Sequence, residues 1–233
     1  MPFAPGLQNY CPTMPLLKSF GHFHYRVAVW GITEREEELT ALLALSAAER
    51  LRLRGMANGQ RRLEYLAARC ALKQLCPQPA QLAYQPNGKP YLLNLPGHIS
   101  LSHTRSYAAA AYSLFAPVGV DLEGYRPGIL RIARKFLRKE EALAISETQR
   151  LEHLTAYWGA KEAAVKVCGD RRLDFKRQIR VAPFSPSGFA SSTGLLVRGR
   201  EREQLHFHFF TWPEIHLTVA WCEEKNPRQK GGF

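Results

Sequence analysis

The chain is short of cysteine and of acidic residues, and it has no long apolar run. Its five cysteines (Cys11, Cys70, Cys76, Cys168 and Cys222) are odd in number and scattered, with no C-x-x-C pair. Such spacing indicates neither a zinc site nor a disulfide framework, and it makes the cytoplasm the expected compartment. No stretch is long enough to span a bilayer as a helix. The opening Met1-Pro2-Phe3-Ala4-Pro5-Gly6 lacks the basic start and apolar core of a signal peptide, so no membrane partner is expected. Asp and Glu number 20 against 32 Lys and Arg, a net charge of +12. That imbalance points to a polyanionic partner: nucleic acid, a phosphate-rich ligand or an acidic protein. Nucleic acid binding would call for a basic stripe with interleaved aromatics or a recognised motif. The arginines near 50–62 and 131–138 are instead spread through helical stretches.

What is present reads as an alternation of helices and short strands. The 233 residues suffice for one large domain or two small ones with a sizeable core. Residues 1–20 are rich in proline and small residues and read as an irregular arm. Residues 23–30 read as a strand. Thr33-Glu34-Arg35-Glu36 has the form of a capping box, with a helix to about 45, and Ser46-Ala47-Ala48-Glu49 is a second one. Asn58-Gly59 breaks that segment, and a longer helix over 60–75 carries the stripe Leu63, Leu66, Ala67, Cys70 and Leu75. Short strands follow at 81–85, 91–93, 98–103, 107–114 and 118–123, with Pro86-Asn87-Gly88-Lys89-Pro90 as a turn. Helices are expected at 127–137, 139–145 and 148–168, then strands at 175–181, 194–197, 206–211 and 216–222. The polar tail, 225–233, is expected to fray.

Two of these stretches carry more charge than packing requires. In the helix over 148–168, Leu154, Tyr157, Trp158, Ala160, Ala164, Val165 and Val167 form one apolar arc at about 100° per residue. Glu162 and Lys166 lie four apart just off it; by spacing alone they make an ordinary surface ion pair. Lys161 falls inside the arc, where it must snorkel out or find an anionic partner. In the strand Val118-Gly119-Val120-Asp121-Leu122-Glu123-Gly124, Asp121 and Glu123 share one face while Val120 and Leu122 share the other. Two carboxylates on one face repel unless a cation lies between them. Hard oxygen ligands suit Mg²⁺, and Glu162 could add a third oxygen. His22 with His24, and His206 with His208, share strand faces pairwise. With no acidic or cysteine partner nearby in sequence, both pairs read as ordinary histidines.

G-V-D-L-E at 119–123 followed by W-G-A-K-E-A-A-V-K at 158–166 resembles the signature pair of the 4′-phosphopantetheinyl transferases. The upstream G-K-P at 88–90 and S-L-S-H-T at 100–104 resemble the longer, Sfp-type branch. The resemblance covers residues 46–182. It implies an α+β fold of two similar halves, 21–117 and 118–224, related by a pseudo-twofold axis with the active site in the cleft between them. It also implies a monomeric enzyme of the holo-[acyl-carrier-protein] synthase type. This would move the 4′-phosphopantetheine of coenzyme A onto a serine of an acidic apo acyl or peptidyl carrier protein.

Carried over residue by residue, the resemblance makes Asp121, Glu123 and Glu162 ligands of Mg²⁺, with Mn²⁺ as the alternative. It assigns Lys89, Ser102, His103, Asp121 and Lys166 to coenzyme A and its phosphates. Arg50 and Arg62 fall to the 3′-phosphate, with Arg52, Arg54 and Arg61 as competing registers. Glu162 and Lys166 are the expected catalytic pair. Glu162 would take the serine proton directly or through a water on the metal, although the metal and Lys166 would both lower its pKa. Two other functions fit parts of the sequence. A basic nucleic-acid-binding protein would show affinity falling steeply with salt. A coenzyme A-dependent acyltransferase without carrier modification would need no paired-carboxylate metal site.

Overall fold

A computed structural model describes residues 16–223. Two sheets carry the fold. The first runs β1 (Leu16–His22), β2 (Tyr25–Gly31), β6 (Tyr107–Ser113), β5 (His98–His103); the second runs β7 (Val118–Gly124), β11 (Ile215–Trp221), β10 (Glu201–Thr211), β9 (Phe189–Arg198), β8 (Ile179–Val181). A small ladder pairs β3 (Leu82–Tyr84) with β4 (Pro90–Leu92). The helices are α1 (Glu36–Ala41), α2 (Ala47–Arg54), α3 (Gly59–Lys73), α4 (Gly128–Phe136), α5 (Lys139–Leu143), α6 (Arg150–Cys168) and α7 (Phe175–Gln178). The expected mixed α+β class is what the chain adopts. β2 pairs with β6 and β7 with β11, and one long helix lies between the strands of each pair in sequence, α3 in the first and α6 in the second.

The period-2 alternation of strands decides how the layers stack. On β6, Ala108 and Ala110 face α3 through Leu66, Ala67, Cys70 and Leu72, while Ala109 and Ala111 turn to the other sheet. Alanine on both faces of β6 lets a helix and a sheet close on it together. Between the sheets, Val27 and Val29 meet Val118, Val120, Leu122, Leu217 and Val219. The far face of the second sheet, Phe207, Phe209 and Ala220, packs on α6 through Leu154, Ala160, Ala163 and Ala164. The order is therefore α3, first sheet, second sheet, α6. Burying one such large apolar side chain contributes about 1.5–3 kcal/mol; the apolar arc of α6 is what seats it.

Several boundaries differ from the sequence expectation. Residues 16–20, read as irregular arm, belong to β1, whose partner β2 supplies its ladder; the rest of the arm and the 225–233 tail lie outside the described residues. The first helix begins after Arg35, whose N–H and guanidinium both donate to the Glu38 carboxylate, rather than at a Thr33–Glu36 box, and α1 stops at Ala41. Ser46 caps α2 as expected, its side chain accepting from the Glu49 N–H. Asn58 does not merely break the chain: its side chain accepts from the Arg61 N–H and starts α3. Residues 175–178 form a helical turn capped by Asp174, leaving only Ile179–Val181 as strand.

Candidate active site

The signature strand and helix touch because glycine removes a side chain between them. A Cβ on Gly119 would stand 2.0 Å from the Ala163 carbonyl oxygen, and one on Gly159 would stand 2.9 Å from Thr218 Oγ1 and 3.7 Å from Asp121 Oδ2. With α6 pressed onto β7, the face bearing Gly119, Asp121 and Glu123 turns toward it. Asp121 is 5% exposed. Its Oδ1 accepts from Lys166 Nζ at 2.7 Å and from Ser102 Oγ at 3.2 Å. Lys166 Nζ also donates to Ser102 Oγ at 3.0 Å and to the Val120 carbonyl at 2.9 Å. Ser102 Oγ in turn accepts from the Leu122 N–H, and Ser100 Oγ from the Val120 N–H. Two serines of β5 thus stitch the first sheet to β7, and Lys166 closes the joint from α6. The i,i+4 surface pair that spacing alone gives for Glu162 and Lys166 does not form: the ammonium goes to Asp121.

Above this joint lies a cavity of about 440 Å³ lined by Arg52, Arg61, Tyr65, Lys89, His103, Lys166 and Arg171 among others. Arg52 stacks on the Tyr84 ring, 3.9 Å from its centroid. His103 Nδ1 lies 3.0 Å from Glu64 Oε2, so Nε2 is the nitrogen left for a ligand. Burial lowers the His103 pKa, Glu64 opposes that, and Lys166 and Arg61 add to it. Lys89 lines the cavity, but its ammonium donates to the Val167 carbonyl at 2.7 Å, at the negative end of α6. Asn87 Nδ2 donates to the Gly169 carbonyl beside it. Gly88, at φ 85°, faces the Arg171 guanidinium, 2.9 Å from where a Cβ would lie. That left-handed backbone is what glycine suits.

The carboxylates are near one another but are not a closed cluster. Among the described residues no three His, Cys, Asp or Glu side chains form a ready-made metal group. Glu123 accepts from Trp158 Nε1 at 3.1 Å and sits 3.7 Å from the Arg126 guanidinium. Trp158, read from sequence as packing, therefore also holds a carboxylate. Burial and the Asp121 charge push Glu123 up to about 7. The same two causes raise Glu162, with Lys166 and Arg171 opposing. Lys166 acts to lower Glu162, as expected, but in the protein alone burial and Asp121 outweigh it. Asp121 Oδ2 is buried and accepts no hydrogen bond among the described residues. A cation there would relieve the orphan oxygen and the repulsion that raises Glu123 and Glu162. The set suits a hard ion that takes one or two carboxylates from the protein and the rest from substrate phosphates.

Lys89, Ser102, His103, Asp121 and Lys166 are thus brought together. Arg50 and Arg62 are not among them. Arg50 is exposed and does not line the cavity. Arg62 Nε donates to the Glu36 carboxylate and its Nη1 to the Met56 carbonyl. Arg52 and Arg61 stand in their place. Glu64, Tyr84 and Arg171 were missed. Glu64 alone left a signal, an acidic residue in the buried stretch of α3.

Residues 117–220 match the family model of the 4′-phosphopantetheinyl transferase superfamily. A 4′-phosphopantetheinyl transferase of Bacillus subtilis is 31% identical over 97 residues, 39% of this chain and 43% of that protein. The 4′-phosphopantetheinyl transferase psf-1 of Bacillus pumilus is 36% identical over 88 residues, 36% of this chain and 37% of its own. The chain thus spans about four tenths of the length of these relatives. The 4′-phosphopantetheinyl transferase HetI of Nostoc sp. is 27% identical over 181 residues, 69% of this chain and 76% of its own.

Proposed function

We propose that the chain, whose residues 117–220 match the family model of the 4′-phosphopantetheinyl transferase superfamily, is such a transferase and moves the 4′-phosphopantetheine of coenzyme A onto a serine of an apo carrier protein. The observation that carries this reading is the joint at which Lys166 meets Asp121 and Ser102, below a cavity ringed by cations. On this reading Arg52, Arg61, His103 and Arg171 bind the phosphates of coenzyme A, and the Tyr84 ring holds Arg52 in place. Glu64 fixes the His103 ring. A divalent cation, Mg²⁺ or in its place Mn²⁺, would be held by Asp121, Glu123 and Glu162; when bound it would offset charge on the pyrophosphate.

The carrier serine Oγ attacks the phosphorus that bears the pantetheine. The bond from that phosphorus to the bridging oxygen breaks, and the electron pair leaves with adenosine 3′,5′-bisphosphate. Glu162 takes the serine proton as the general base. Lys166 donates toward the oxygens that gain charge. The halves 21–117 and 118–224 each supply one wall of the cleft, as a pseudo-twofold pair would. The enzyme acts as a monomer in the cytoplasm. For the described residues, the observation is that no helix is long and apolar enough to cross a membrane.

Intact-mass analysis tests this. Apo carriers from fatty acid, polyketide and peptide synthetases are incubated with the protein, coenzyme A and Mg²⁺. A gain of one phosphopantetheine on the carrier serine is the expected result. No gain on any carrier would refute the reading.

A further inference from the structure

Lys161 is fully buried, yet a lysine does nothing for the cavity's chemistry from there. Its Nζ donates to Glu141 Oε1 at 2.7 Å and Oε2 at 2.8 Å, to the Ile179 carbonyl at 2.6 Å and to the Phe175 carbonyl at 3.2 Å. Glu141 is satisfied in turn, by the Val181 N–H at Oε1 and the Arg138 N–H at Oε2. One side chain of α6 is thereby tied to α5, α7 and β8. We infer that the Lys161–Glu141 pair is a positioning device that fixes the rotation of α6 and so aims Glu162 and Lys166 at the cleft. The catalytic part of this inference rests on the function proposed above.

Stability does not explain the pair. A buried ion pair replaced by apolar side chains of similar volume is often neutral or stabilising. What apolar packing supplies poorly is direction. The face of α6 against the sheet is small and smooth, with Ala156, Gly159, Ala160, Ala163 and Ala164. Gly119 lets its backbone sit directly on β7. Such a face sets how close the helix lies more firmly than how far it is turned about its axis. The ammonium, with acceptors on three other elements, sets the turn. Glu162 is the next residue, about 100° around the axis. At a radius of about 6 Å, a turn of about 10° moves its tip by about 1 Å. A 1 Å misplacement can cost on the order of a hundredfold in rate.

The test is the double variant Glu141→Met with Lys161→Met. It should melt within a few degrees of the wild type, and its KM for coenzyme A should rise far less than its kcat falls, because Arg52, Arg61, His103 and Arg171 sit on other elements or past the end of α6, while Glu162 and Lys166 turn with it. Its kcat should fall on the order of a hundredfold. That split would not arise from a merely stabilising pair. Unchanged kcat in the folded variant would overturn the inference. A second readout needs no turnover. The ¹⁵N ammonium resonance of Lys166, sheltered by Asp121, Ser102 and Val120, should be lost to exchange in the variant; a signal as sharp as wild type would overturn the claim. If the wild type modifies no carrier, the proposed function fails while this resonance still decides the positioning. Should the double variant not fold, Glu141→Gln keeps the shape and weakens the hold. Its activity should then be lost several degrees below its melting point, and coincident loss would count against the device.

Discussion

At the scale of single residues, Asp121 is committed on one oxygen and open on the other. Lys166 and Ser102 take Oδ1, while Oδ2 is buried without a donor. Asp121→Ala should cut transfer at least a hundredfold by a rough count of lost ligands and lost anchoring. EDTA should abolish wild-type activity and Mg²⁺ restore it; full turnover in EDTA would remove the metal from the account. Glu162→Gln keeps shape and loses the proton acceptor. Its kcat should drop by about a hundredfold or more with coenzyme A affinity nearly intact. An equal fall in affinity would make Glu162 a ligand first. The register of arginines proposed from the cavity is open to the same kind of measurement. Arg61→Ala should weaken coenzyme A binding by about tenfold, the worth of one charge-assisted contact, whereas Arg50→Ala should leave it unchanged. Titration calorimetry on both variants separates the registers, and the reverse order would restore the one expected from sequence.

At the scale of elements, the histidines that read as ordinary strand residues turn out to join the first sheet to the second. His22 and His24 of the β1–β2 hairpin meet His206 and His208 of β10 around the Trp221 ring, with His22 and His208 centroids 4.7 Å apart. Tyr25 Oη lies 2.6 Å from His208 Nδ1. Burial and the neighbouring histidines lower His208 to about 4, and burial with His24 lowers His22. Burial also lowers His153, and His216 to about 3. A histidine with a depressed folded pKa prefers to stay neutral in the fold. Its contribution is complete above the unfolded value near 6.5 and is lost as pH falls toward the folded value. The melting temperature should therefore drop by several degrees between pH 7.5 and 5. His208→Phe should lessen that drop without removing it, since His216 and His153 remain; an identical slope would take the cluster out of the explanation. Local pattern had little to say here. The long helix was legible because its arc and its stop at Gly169 are written in neighbouring residues. Asp121 and Glu123 were legible because strand alternation puts them on one face. Lys161 announced that it needed an anion, but Glu141 lies on another element and no spacing rule reaches it. The partners of Arg52 and Arg62 are likewise decided by tertiary contacts with Tyr84 and Glu36. β1 is short and proline precedes it, so only its pairing with β2 makes it a strand.

At the scale of the whole molecule, the surplus of 32 basic over 20 acidic residues is larger than the phosphates of one coenzyme A would need. The proposed carrier substrate is expected to be acidic, so the two macromolecules should attract each other before they touch. Such steering acts between exposed charges across water and is screened over about 10 Å at 0.1 M salt. On the function proposed above, coenzyme A would be met differently, in a cavity where Lys89 and Lys166 are half-buried, and charges held there are screened less. Raising the salt from about 0.05 to 0.5 M should therefore raise KM for the carrier more steeply than KM for coenzyme A, chiefly through a slower association rate. Stopped-flow association with a fluorescent apo carrier would show the rate falling with ionic strength while dissociation changes little. Equal salt dependence for both substrates would mean that the net charge serves something other than carrier docking.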